Sequence, residues 1–153
     1  MEVVVNEWLL EYMRPESNKS DRDKVIKLLE KIEKGELTIV VRNPSAFTKK
    51  CHRYRKDFAR YAYSSLVLKR FIAEVLQNSA RCRFVNDKDV IPLDEASQKI
   101  LSQGNLGSDT YLFEAANTTK RKEIITTDVK LVEAFAKNHS FKVTLLSDFN
   151  QLF

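Results

Sequence analysis

Asp109 and Asp128 are the acids of this chain whose positions point to chemistry. They bracket one unit, residues 108–128 (SDTYLFEAANTTKRKEIITTD): a helical pattern through Tyr111, Leu112, Ala115 and Ala116, a basic turn at 120–122, and the apolar pair Ile124-Ile125 ending in Thr126-Thr127-Asp128. Ligands of open parallel sheets bind beyond the carboxyl ends of the strands, so an acid ending a strand faces that crevice and one opening a helix can reach it. Two carboxylates about 4 Å apart repel by roughly 4 kcal/mol at an effective dielectric of 20, a cost that a cation relieves. Mg²⁺ or Mn²⁺ accept such oxygens, keep several waters, and can polarise a phosphodiester for hydrolysis. The plainer reading is that both acids only cap helices.

The elements that must position these acids alternate. Residues 2–5, with three consecutive valines, read as a buried strand ended by Asn6. A helix is expected over residues 7–13, stopped by Arg14-Pro15, and a second is expected to be capped by Ser20 or Asp21 and to end at Lys34-Gly35. Residues 37–41 form the next strand, ended by Asn43. A long helical region with an apolar stripe follows over 53–77. Arg83-Phe84-Val85 and Val90-Ile91 are both strand candidates, the second preferred; a helix from 94 to about 102, a last strand at 142–145 and a short tail from Ser147 complete the chain. Strands alternating with helices predict an α/β fold: a single domain over residues 1–153 with a mostly parallel central sheet flanked by helices.

A chain of 153 residues can bury a core without disulfides or metal. Cys51 and Cys82 form no CxxC pattern, and the N-terminus lacks the pattern of a secretory signal, so a reduced, cytoplasmic setting is expected, with no membrane partner. Charge is segregated. Residues 42–70 hold nine Lys or Arg against Asp57 alone, a local +8 within a net +5 that leaves the remainder at −3. Lys49, Lys50, Arg53, Arg55, Lys56 and Arg60 are therefore candidates for a nucleic-acid-binding face. Trp8, Tyr54, Tyr61 and Tyr63 could stack bases, but their helical spacing reads as core. His52 and His139 have no ligand spacing. Glycine-rich phosphate motifs and GxSxG are absent from the sequence.

The stretch VIPLDEASQKILSQGNLGSDTYLFEAANTTKRKEIITTDVKLVEAFAKN resembles the C-terminal half of a PIN domain, and EVVVNEWLL resembles that family's first strand and following helix. The shared features are an acid opening a D-x-x-x-x-x-A-A helix and an apolar strand ending in T-x-D. The resemblance implies a cytoplasmic, Mg²⁺- or Mn²⁺-dependent nuclease acting on single-stranded RNA or other nucleic acid. In toxin–antitoxin pairs it also implies a protein partner, the antitoxin, and it allows a homodimer. It places Asp109 and Asp128 among the metal-binding acids, Asn6 where the family's first acid stands, and Thr126 as the hydroxyl residue of T-x-D. Asn6 is neutral, and Thr48, Lys49 and Lys50 occupy the candidate positions of a second acid, so the resemblance implies a weakened enzyme or a non-catalytic nucleic-acid-binding or protein-interaction module that keeps the fold. Glu7, Glu11 and Glu74 are the available substitutes; Glu7 can enter the site only if its helix begins at Asn6.

Overall fold

Val3, Val4 and Val5 offer no polar position to either face of their strand, and the fold covers both faces. In the computed structural model, which describes residues 1–149, β1 (Glu2–Val5) lies at the centre of a five-stranded, all-parallel sheet. Its neighbours are β2 (Thr38–Arg42) and β4 (Glu123–Thr126), and β3 (Cys82–Val85) and β5 (Lys142–Leu145) form the edges. The end of the tail expected from Ser147, residues 150–153, lies outside the described residues.

Alternation along the strands divides the core in two. Val3, Val5, Ile39, Val41 and Ile125 pack under α1 (Trp8–Glu11), α2 (Lys19–Glu33), α3 (Ala46–Asp57) and α4 (Ala62–Arg70). Val4, Val40, Val85 and Ile124 face α5 (Glu95–Gln103), α6 (Thr110–Ala116) and α7 (Val129–Ala134). The chain therefore steps outward from β1 to β3 with helices on one face, then returns beside β1 and continues to β5 with helices on the other. Between β1 and β4 the winding reverses, and in folds of this kind that is where ligands bind, in the crevice beyond the carboxyl ends of the strands.

Several boundaries differ from those expected. The cap of α2 is Asn18, whose side chain accepts the Asp21 N–H at 2.9 Å, so the helix begins before Ser20. Of the two strand candidates after α4, Arg83-Phe84-Val85 is the strand. Val90-Ile91 lies outside the sheet with Ile91 exposed, because the β2 edge is already paired along residues 82–85. The long apolar stripe is two helices and a π-helical turn (Phe71–Leu76), interrupted at residues 58–61. That interruption lets Phe58 turn into the core while Tyr61 stays 47% exposed. Cys51 and Cys82 are buried free thiols; burial pushes them up to about 11 and about 12, so neither is a thiolate near neutrality. Among the described residues no helix is long and apolar enough to cross a membrane.

Candidate functional site

Asn6 follows β1 and Thr126 ends β4. Continuing the register Val4↔Ile124, Val5↔Ile125 sets their side chains side by side at the point where the winding reverses. The Asn6 amide donates to Thr126 Oγ1 at 2.6 Å, and its carbonyl accepts the Trp8 N–H at 3.2 Å. Because a backbone N–H can only donate, that second bond fixes which end of the amide faces Thr126. The buried Thr126 oxygen also accepts the Asp128 N–H at 3.0 Å. Asn6 and Thr126 thus tie the two strand ends together, with their polar atoms engaged inside the protein.

Asp128 and Asp109 occupy similar positions and behave differently. Asp128 caps α7, its Oδ1 accepting the Lys130 N–H at 2.9 Å and the Leu131 N–H at 3.4 Å, while Oδ2 has no such bond among the described residues. Asp109 precedes α6 without capping it, and among the described residues its carboxylate takes part in no hydrogen bond or ion pair. The contrast with Glu123 is informative: that buried acid has Arg121 at 3.3 Å and Lys142 at 3.7 Å. Burial first, then the negative charges of Asp128 and Glu7, raise the Asp109 carboxyl above its ordinary value. These three acids therefore share one electrostatic environment beyond the ends of β1 and β4. Tyr111 lies beside it, its hydroxyl raised by burial and then by Glu7 and Asp109.

Glu7 is in the site because the turn starts at Asn6: the Leu9 N–H reaches the Asn6 carbonyl at 3.4 Å, and Glu7 already has helical dihedrals, φ −64° and ψ −9°. One residue less of extended strand rotates Glu7 away from strand alternation. Lys50 answers it. Its ammonium lies 3.5 Å from Glu7 Oε2 and 2.7 Å from Glu11 Oε1, and Glu11 also accepts from the Tyr54 hydroxyl at 2.7 Å and from Arg14 at 3.2 Å. Burial would raise the Glu11 carboxyl, but these bonds, Lys50 foremost, leave it lowered. Lys50 therefore stands apart from the exposed Lys49, Arg53, Arg55, Lys56 and Arg60 as an internal counter-charge. Lys49, Arg53 and Lys56 share an arc of about 60° on α3 at 3.6 residues per turn, whereas Arg55 points off that arc and Arg60 follows the helix. Arg42 and Arg70 are also withdrawn from the basic surface, by Asp87 and Glu33. Glu74 pairs with Arg81 at the opposite end of the sheet, just before β3, and cannot serve the crevice. His52 and His139 are exposed.

Among the described residues no three His, Cys, Asp or Glu side chains come together closely enough to cage a metal. The donors left for a hydrated ion are Asp109 and the remaining oxygen of Asp128; Mg²⁺ is commonly bound by one or two carboxylates with several waters kept. Glu7 is partly neutralised by Lys50, and Asn6 is occupied.

Asp109 also makes a test of stability against pH. An acid whose pKa is raised on folding binds its proton more tightly in the native state, so its contribution is fully present below the unfolded value and is lost as pH rises through the folded one. Asp109→Asn removes that loss. The variant is expected to be more stable than the parent at neutral pH, with the difference fading as pH falls below about 4. Urea unfolding of both proteins across that range checks it; a variant less stable at pH 7 would show that Asp109 has a stabilising partner.

The fold and the crevice define a class: a doubly wound, all-parallel α/β domain with an acidic group at its winding reversal. No protein-family model, no curated protein and no solved structure matches the chain.

Proposed function

We propose that this chain is a weak, divalent-metal-dependent endoribonuclease of the PIN-like type, acting on single-stranded RNA in the cytoplasm. The observation that carries this reading is the Asp109 carboxylate, half-buried beside Asp128 and Glu7 with no cation or donor of its own among the described residues. Natural folds seldom leave a half-buried charge uncompensated, and groups with such perturbed environments in a crevice are functional-site candidates. Asp109 and Asp128 would hold Mg²⁺ or Mn²⁺, which when bound polarises a phosphodiester and supplies a hydroxide nucleophile. Lys50 holds Glu7 and Glu11 in place, and the Asn6–Thr126 bond keeps the two strand ends at one spacing. Lys49, Arg53 and Lys56 present their charges to the RNA backbone. A neutralising antitoxin-like protein and a homodimer belong to the same reading.

A specific observation favours a second reading, a non-catalytic nucleic-acid-binding module that keeps the fold. A neutral Asn6 stands where the first further acid is expected, Thr48, Lys49 and Lys50 hold the candidate positions of the second, and Lys50 already partly neutralises Glu7. Calorimetric titration with Mn²⁺, paired with an assay on labelled single-stranded RNA, separates the two. The nuclease reading expects weak Mn²⁺ binding, slow cleavage abolished by EDTA, and loss of both in Asp109→Asn. RNA binding with neither metal uptake nor cleavage would establish the module instead.

A further inference from the structure

A separate depression lies beside the chain that follows α1. It is an open cleft of about 370 Å³ between the loop after α1 and the end of α3, with Arg14 on one wall, Arg53 on the other, and Tyr54, Phe58 and Tyr61 between them. Its size falls within the usual range of small-ligand sites. The two arginines are balanced by Glu16 and Asp57, which also line it, so the cleft is no simple phosphate trap. The balance is uneven, however. Arg14 is held by Glu16 at 2.8 Å and Glu11 at 3.2 Å, whereas Arg53 is 63% exposed and comes no closer to Asp57 than 4.0 Å. Its guanidinium lies 5.4 Å from the centre of the Tyr54 ring, and the 47%-exposed Tyr61 offers a ring with no side-chain hydrogen bond among the described residues.

A flat exposed aromatic beside a loosely paired guanidinium is the combination that takes an unstacked base and its neighbouring phosphate. We infer that this cleft is a nucleotide subsite in which Tyr61 stacks on one base of a single strand and Arg53 contacts the adjoining phosphate. The inference deepens the RNA-binding part of the proposed function and does not need the metal. Connectivity supports it: Glu11 touches the cleft residues Arg14 and Tyr54 as well as Lys50, and Lys50 touches Glu7 of the crevice.

Fluorescence anisotropy with labelled oligouridylate in EDTA tests this without cleavage. Tyr61→Ala is expected to weaken binding about tenfold, within the range that alanine substitution of a base-stacking aromatic usually costs, and Tyr61→Phe to stay within about twofold of the parent. Arg53→Ala is expected to flatten the plot of log affinity against log salt by about 0.7. An abasic site placed along the oligonucleotide should lower parent affinity while leaving Tyr61→Ala unaffected. Parent-like affinity in Tyr61→Ala, or no RNA binding by the parent, overturns the subsite, the latter pointing to a protein ligand. Mn²⁺ titration of the same proteins keeps the two ideas apart. Metal uptake without a Tyr61 effect leaves the metal site standing and removes the subsite, and a Tyr61 effect without metal uptake does the reverse.

Discussion

Asn6→Asp is expected to tighten Mn²⁺ binding about tenfold or more and to raise any ribonuclease activity with it. The new carboxylate would sit between Thr126 and the start of α1, beside the end of β4 from which Asp128 follows. A divalent ion about 4 Å away gains on the order of 8 kcal/mol from one added charge at an effective dielectric of 20. Repulsion from Asp109, Asp128 and Glu7 in the ion-free site, and the desolvation of the ion, offset most of that. A net gain of about 1.4 kcal/mol is enough for the tenfold. The local structure tolerates the change: the Trp8 N–H can donate to a carboxylate oxygen, and the Thr126 hydroxyl can turn to donate where it now accepts. Calorimetric titration checks the affinity and thermal unfolding the fold. An unchanged Mn²⁺ affinity would remove Asn6 from the site and, with it, the alignment of the first strand end to a metal position.

The largest stability effect is expected at Phe113→Ala, a loss of about 3–5 kcal/mol. Phe113 is fully buried on α6, stacked on Phe135 at 4.3 Å between ring centres and edge-on to Phe141 at 5.1 Å. These rings join α6 to α7 and to the start of β5, so truncation leaves a cavity whose walls belong to three elements and cannot close easily. For a chain of this length the loss corresponds to a fall in Tm of roughly 10 °C or more. Because α6 also positions Asp109, metal affinity measured well below the new Tm should fall as well. A Tm within about 3 °C of the parent would mean that the aromatic cluster is loosely packed.

How much of this was legible beforehand differs from element to element. The strand at residues 142–145 and the first strand at 2–5 have the boundaries expected of them, and the helix expected from residue 94 is α5, which Asp94 caps. The strand after α4 shows the limit. Val90-Ile91 is the more apolar run, yet Cys82–Val85 pairs with β2, because strand identity is settled by which segment reaches an open sheet edge in register. Local composition carries no information about that edge.

The same division runs through the site. The order of residue types alone placed Asp109 at a helix start and Asp128 at a strand end, and an alternating strand–helix chain brings such ends to one side of a parallel sheet. Spacing could not tell the two acids apart. Only the folded chain makes Asp128 a cap and leaves Asp109 without a partner among the described residues, because capping depends on the backbone angles and side-chain direction of one turn. Glu7 entered through a turn that begins at Asn6, and Lys50 left the basic face because α3 presents that flank to Glu7 and Glu11. Tyr61, helically spaced like a core residue, is exposed because the helix breaks before it. Charge type, apolar periodicity and chain order are properties of the sequence by itself. Which charges meet, and which ring faces water, depend on contacts between segments distant in the chain, and those exist only once the sheet and its two helical layers have formed.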